Sequence, residues 1–402
     1  MRLVAGVDSS TSATKVEVRD ADSGALVASG RASHPVVSPP RSEQDPAAWW
    51  SAFESAWTEA GSPSVAAISV AAQQHGLVAC DNDGSPLRPA KLWNDTETAP
   101  DAAWLIKQLG GPEAWAKACG TVPVAALTIT KLSWLHRSDP AAFDRMARVL
   151  LPHDWLTFRL IGDYVTDRGD ASGTGYWSPF DDDWRLDLLA IVDEDKDWKT
   201  ALPRVLQPTE TAGEWQSAVV GPGTGDNMAA ALGLGLRPGD VVVSLGTSGT
   251  VFARSDRPTA DSSGAVCGFA DAGGGFLPVV CTLDATHAGL EGVVCSLLDG
   301  LDALGAAGVD TSGRVFLVGD GARSVASRRV TTDLAGRPVT VPFELETVAI
   351  GACVQAAAVL HGRPPDEVAD AWHLGRGEIV EPDRSVDAAS VRAAYAEVRD
   401  HS

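Results

Sequence analysis

The sequence predicts an α/β protein built from two similarly laid-out domains that face each other across a cleft. Three observations carry this. The chain opens with an apolar strand, a small polar turn and a returning strand, and the same plan recurs near residue 240. A mainly helical stretch lies between the two copies. The glycine-rich segment Gly221-Pro222-Gly223-Thr224-Gly225 stands just ahead of the second copy and divides the chain into domains 1–221 and 222–402.

In the first copy, residues 3–7 read as an apolar strand, 8–14 as a polar turn, 15–19 as an alternating strand, and 26–32 as a third strand after a turn at 21–24. Residues 45–60 have helical spacing, with Trp49, Trp50, Phe53 and Trp57 on one side as a core stripe. Residues 65–71 read as a buried strand, and 77–87 as a hairpin around Asn82-Asp83-Gly84. The stretch 102–177 is mainly helical, and 184–202 continues with loops. In the second copy, 240–245 is apolar, 246–249 is a polar turn, and 250–253 and 275–281 supply further strands. A helix over 288–307 and a short strand at 314–318 follow. The turns VAGVDSSTSATKVEV and VVVSLGTSGTVFA each join two strands through Ser, Thr and Gly. A cleft between two such domains is a preferred ligand site.

The balance of 53 acidic against 32 basic residues gives a net charge of −21, which argues against nucleic-acid or anionic-membrane partners. It does not exclude an anionic substrate, because backbone N–H groups hold phosphate without net positive charge. Cys80, Cys119, Cys267, Cys281, Cys295 and Cys353 form no CxxC pair, and no His cluster completes a metal site, so free thiols in a reducing cytoplasm are expected. The opening MRLVAGVDSS has no signal-peptide pattern, and no run of about 18 apolar residues suggests a membrane span.

Six segments carry chemistry. Asp8-Ser9-Ser10-Thr11-Ser12-Ala13-Thr14-Lys15 sets a carboxylate at a strand end, before hydroxyls and free N–H groups, which suits a Mg-phosphate group or a plain hairpin turn. Gly246-Thr247-Ser248-Gly249-Thr250 lets backbone approach a phosphate, though taken alone it reads more readily as a tight turn. Asp226 in Gly225-Asp226-Asn227 is either the N-cap of the helix that follows or a carboxylate at a domain edge. Gln73-Gln74-His75-Gly76 ends a buried strand and is placed to bind a sugar, or His75 is a satisfied structural residue. Trp93-Asn94-Asp95 offers a stacking surface and two hydroxyl partners, or is a turn after the hairpin. Gly319-Asp320-Gly321-Ala322-Arg323-Ser324 is a strand-to-helix turn able to take a base or ribose against bare backbone. Neither a GxGxxG fingerprint nor a Walker lysine motif is present.

In this order the segments resemble the FGGY family of carbohydrate kinases. The specific points are Ser42-Glu43-Gln44-Asp45-Pro46 with Trp49-Trp50, Gln74-His75-Gly76, Leu92-Trp93-Asn94-Asp95, Leu151-Pro152-His153-Asp154-Trp155, Asp170-Ala171-Ser172-Gly173-Thr174, Gly225-Asp226-Asn227, and Ser244 to Gly249. The resemblance implies two actin-like, ribonuclease-H-like domains closing over sugar and ATP, and phosphorylation of a ketopentose, foremost D-xylulose. It implies Asp226 as general base and Asp8 beside Mg2+, in contact through water. Thr11, Ser12 and Lys15 fall in the first phosphate motif, and Gly246, Thr247 and Ser248 in the second. Gln74, His75, Trp93, Asp95, Asp226 and Asn227 are implied on the sugar. Gly319, Gly321, Ala322 and Arg323 are implied beside the adenosine. A homodimer is common in the family.

Three departures stand out. Ser10 replaces a glycine common in the first phosphate motif. Asp320 replaces the middle glycine of the usual Gly-Gly-Gly-Ala-Arg, where a carboxylate either repels nucleotide or turns to solvent. Several dozen residues that members carry between Gly249 and Gly319 are missing, so the second domain is expected to be shortened. The alternatives are therefore a family kinase for another ketose or polyol, or a sugar-binding relative with impaired ATP use.

Overall fold

The computed structural model describes residues 2–246, 249–282 and 289–401. Two seven-stranded sheets dominate it. In the first, Leu3–Ser9, Ala13–Asp20 and Leu26–Ser33 form an antiparallel meander. Ala67–Ala72 runs parallel to Leu3–Ser9, Ala218–Val220 runs parallel to Ala67–Ala72, and Gly213–Trp215 closes that edge antiparallel. Thr224–Gly225 pairs with the end of Ala67–Ala72.

The second sheet repeats the scheme. Val241–Leu245, Gly249–Ala253 and Phe276–Thr282 form the meander. Val315–Val318 joins parallel to Val241–Leu245, Val339–Pro342 joins parallel to that, and Gly377–Val380 closes the edge antiparallel. The central strands are apolar without alternation because both faces are covered: Val4, Ala5, Val241, Val242 and Val243 have no exposed surface. The predicted duplication is therefore a duplication of topology.

Local chemistry sets the elements. Pro46–Glu59 begins where the Asp45 carboxylate accepts from Ala47 N at 2.9 Å, with Pro46 in the first turn, and it buries Trp49, Phe53 and Trp57. The first phosphate-type turn is tighter than expected. Strand structure runs to Ser9 and resumes at Ala13, with Asp8 opposite Lys15. Buried Thr14 explains this, since its hydroxyl is bonded to Ser9 Oγ and His34 Nε2 and has no need of water. The predicted hairpin at 77–87 keeps its turn, but Val78–Cys80 pairs with Arg148–Leu150. Cys267–Ala270, interrupted by Gly268 and lacking periodicity, is a strand that the sequence does not announce, and it extends the second sheet.

The halves are joined by two helices. Asp226–Gly233 crosses Thr347–His361, which also lies on the strands Leu3–Ser9 and Ala67–Ala72 of the first sheet. The approach is backbone to backbone. A Cβ on Gly351 would sit 1.8 Å from Ala229 O, one on Gly233 2.0 Å from Thr347 O, and one on Gly6 2.2 Å from Ala349 O. Gly351→Ala is accordingly expected to destabilise the protein by about 1–3 kcal/mol, read as a lower urea midpoint. An unchanged midpoint would show that the crossing tolerates a methyl group.

Candidate active site

Three strand ends build the site. Leu3–Ser9, Ala67–Ala72 and Thr224–Gly225 run parallel, with Ser9 and Gly225 both level with Ala72. Asp8, Gln74, His75 and Asp226 therefore emerge at one carboxyl edge, where open α/β sheets bind ligands. Asp226 does not cap its helix. Gly225 occupies the cap position without a side-chain bond, and Asp226 is the first helical residue, its Oδ1 accepting from Asn227 N at 2.8 Å.

Asp226 is half-buried, and its carboxyl is pushed up to about 7 by desolvation first, then by the charges of Asp8 and Asp170. Asp8 is buried, and desolvation pushes it up to about 6 although Lys15 pulls it down. Lys15 Nζ lies 3.6 Å from Asp8 Oδ2 and 2.5 Å from Glu346 Oε2. Asp8 Oδ1 is buried without a hydrogen-bond partner among the described residues, so this oxygen fits a metal ion or a metal-bound water.

The residues expected on the sugar form a connected layer. Asn227 Nδ2 donates to Gln74 Oε1 at 2.8 Å, and Gln74 Nε2 faces Asp170 Oδ1 at 3.4 Å. His75 has φ +65 and lies with Nδ1 2.8 Å from Gly173 O. Burial drives its pKa down to about 4, so the ring is neutral: Nδ1 donates to the carbonyl and Nε2 accepts. Trp93 Nε1 donates to Thr11 Oγ1 at 2.9 Å, which donates to Gln73 Oε1 at 3.2 Å, tying the first turn to the sugar side. Ser12 is exposed in that turn, and its carbonyl accepts from His34 N. Asp95 is set apart. It is fully buried, and its oxygens accept from Ser42 N, Glu97 N and Lys91 Nζ.

On the opposite wall, Gly246 follows Val241–Leu245 and Gly319 follows Val315–Val318, and these strands are parallel neighbours. A Cβ on Gly319 would lie 2.6 Å from Leu245 O, and one on Gly321 2.4 Å from Leu245 Cγ, so the second turn folds tightly over the first strand end. Ala322 is buried there, and Ser324 caps the helix Val325–Ala335. Asp320 turns to solvent, 96% exposed, with Arg323 Nε 3.5 Å away. Thr247 and Ser248 lie outside the described residues.

Two contributors were missed in the sequence. Phe269, on the unanticipated strand Cys267–Ala270, sets its ring 5.4 Å from that of His75, and Ala270 N donates to Ser172 Oγ at 2.9 Å. Glu346 reaches Lys15 from far along the chain. Neither lies in a motif. Only the Asp170-Ala171-Ser172-Gly173-Thr174 match hinted that this region faces the cleft.

Twin sheets with parallel strand ends opposed across a cleft, acidic on one wall and glycine-turned on the other, define an actin-like sugar phosphotransferase. The chain belongs to the FGGY family of carbohydrate kinases, whose N-terminal domain matches residues 3–233. It is 41% identical to a xylulose kinase of Streptomyces coelicolor, covering 94% of this chain and 92% of that protein. A xylulose kinase of Streptomyces rubiginosus is 40% identical with the same coverage. The crystal structure of xylulose kinase from Bifidobacterium adolescentis superimposes with a TM-score of 0.87 at 35% identity, covering 99% of each chain. No helix among the described residues is long and apolar enough to cross a membrane.

The raised carboxyl of Asp226 has a stability consequence. Folded Asp226 holds its proton up to about 7 against 3.8 for the ordinary group, so its contribution favours the fold at low pH and is lost as pH rises through that window. Asp226→Asn is expected to unfold at a higher temperature than wild type near pH 8, the gap closing toward about pH 4. Equal melting temperatures at both ends would show that the carboxylate is not destabilised in the fold.

Proposed function

We propose that the chain transfers the γ-phosphoryl group of ATP to D-xylulose, giving D-xylulose 5-phosphate, with Asp226 as general base. The observation that carries this is the Asp226 carboxylate at the carboxyl edge of the first sheet, facing Asp8, with a pKa near the working range of a base. The xylulose kinases named above support the acceptor.

In this reading Asp226 takes the proton of the acceptor hydroxyl as its oxygen attacks the γ-phosphorus in line. Gln74, His75, Trp93 and Asn227 hold the sugar, with neutral His75 Nε2 accepting from a hydroxyl. Asp95 acts on the sugar side by bracing the turn that carries Trp93. Asp8 would hold Mg2+, through water, where the ion neutralises charge on the transferring group. Thr11, Ser12 and Lys15 line the phosphates with Gly246, Thr247 and Ser248, while Gly319, Gly321, Ala322 and Arg323 lie beside the adenosine. The division into a sugar domain, 1–221, and a nucleotide domain, 222–402, belongs to the same reading. Thr224–Gly225 and helix 347–361 cross that line to join the first sheet.

A second reading, sugar binding with impaired ATP use, draws on the shortened second half. The alignment with the Streptomyces coelicolor protein runs over 447 positions against a chain of 402 residues. ADP release from Mg-ATP across a panel of ketoses and polyols separates the two. D-xylulose-dependent turnover, falling by roughly 10² or more in Asp226→Ala, is expected. Sugar binding with no turnover would leave only the second reading. The pH profile gives an independent check: kcat/KM for the sugar should rise with pH around an apparent pKa near 7, because only ionised Asp226 accepts the proton. A flat profile over about pH 5–8 would remove Asp226 from the chemistry.

A further inference from the structure

A buried group behind the sugar side decides which hydrogen-bonding atoms the cleft displays. We propose that Asp170 is a positioning residue that fixes the orientation of the Gln74 amide, so that Asn227 presents its carbonyl oxygen, rather than its NH2, to a donating hydroxyl of the sugar. The inference rests on the ketose reading above.

The argument is one of donor and acceptor polarity. Asp170 has no exposed surface. It is anchored from two sides, its Oδ2 lying 2.7 Å from His153 Nδ1 and its backbone N donating to Asp167 Oδ1 at 2.9 Å. Its Oδ1 faces Gln74 at 3.4 Å. A carboxylate only accepts, so the Gln74 NH2 must point at it and Oε1 must point away. That Oε1 meets Asn227 Nδ2 at 2.8 Å, which commits the NH2 of Asn227 and leaves its Oδ1 on the other branch. Gln74 has little freedom besides an amide flip, because it lies against Gly225, where a Cβ would come within 2.6 Å of Gln74 Cγ. Each amide could be turned over without a change of shape, so shape does not choose the orientation. The carboxylate at the buried end does.

His153 keeps the anchor in one state. Burial, the largest influence, pulls its pKa down, but Asp154, Asp170 and Asp167 outweigh it and hold the ring up at about 9. The ring therefore donates to Asp170 Oδ2 at neutral pH, and Oδ1 remains for Gln74. Asp226, beside Asn227, also takes a proton from a hydroxyl. The two neighbouring positions thus both read hydroxyl groups as donors, and a ketose supplies hydroxyls at successive carbons.

The relay can be reversed without changing its atoms' positions. In Asp170→Asn the new amide turns its oxygen to His153 and its NH2 to Gln74, so Gln74 flips and opposes the NH2 of Asn227. In Asn227→Asp a carboxylate confronts Gln74 Oε1. In the double variant D170N/N227D the charge has moved to the other end: Gln74 donates to residue 227 and accepts from residue 170, and residue 227 still offers an oxygen to the sugar. Titration calorimetry of D-xylulose without nucleotide reads this directly, with thermal unfolding as a control. Each single variant is expected to weaken binding by about tenfold. The double variant should return to within about threefold of wild type, because the losses share one network. Additive losses in the double variant, or single variants that bind as wild type, overturn the proposal. Where D170N alone fails to fold, recovery of affinity on adding it to N227D carries the same test, since a purely structural role cannot produce a gain. A wild-type protein that binds no ketose would instead overturn the reading of function and this proposal with it.

Discussion

Helix 226–233 crosses helix 347–361 in close backbone contact at Gly233 and Gly351, and the position of the Asp226 carboxylate depends on that contact. Asp226 is the first residue of one helix, while the other lies on the strand that carries Asp8. A bulkier crossing would lift the carboxylate away from the sheet edge. Polar bonds lock the same junction. Ser69 Oγ donates to Gln355 Oε1 at 2.5 Å, and Gln355 Nε2 donates to Gly223 O at 2.9 Å, so a residue of the second half holds the loop leading into Asp226. Lys15 with Glu346 and Arg19 with Glu344 add ion pairs between the strand Ala13–Asp20 and the approach to helix 347–361.

Around that junction the protein gathers more negative charge than it neutralises. Asp8, Asp154, Asp167 and Asp226 are all pushed up by burial. Asp154 and Asp167 flank His153, with Asp154 Oδ1 3.1 Å from Nε2 but out of hydrogen-bond alignment. Uncompensated buried charge opposes folding. It is tolerated where a bound cation supplies the missing positive charge, and where a base needs a raised pKa. The stiff, glycine-mediated core provides the stability against which this strain is held.

The duplicated sheets were legible in the sequence because buried strands are runs of apolar residues separated by Ser, Thr and Gly turns. The layout survives even where the residues differ, as in the turns after Val7 and Leu245. Whether Asp226 caps a helix was not legible, since a carboxylate at a helix start satisfies both readings until the backbone shows Gly225 in the cap position. The burial of Asp95 was equally hidden. Its partners Ser42 and Lys91 come from separate segments, and one side chain can point to either face of a turn. Phe269 and Glu346 reach the cleft only through contacts between distant parts of the chain, which leave no local pattern.

On the reading proposed above, the two walls of the cleft recognise their ligands by different means, and this bears on the shortened second half. The acceptor wall works through side chains whose donor and acceptor atoms are individually oriented, so one substitution there changes what is read. In that reading the donor wall works through bare backbone at Gly246, Gly319 and Gly321, and the last two fold over the end of Val241–Leu245. Backbone recognition of phosphate needs the turns and little else. The Gly319 turn folds over the end of Val241–Leu245, and the extra carboxylate of Asp320 points to solvent. On the proposed reading, residues missing between Gly249 and Gly319 would thin the surroundings of the base and ribose rather than the groups that meet the transferring phosphate. On the reading proposed here, the shortening falls on nucleotide affinity and leaves the phosphoryl-transfer geometry around Asp8 and Asp226 in place.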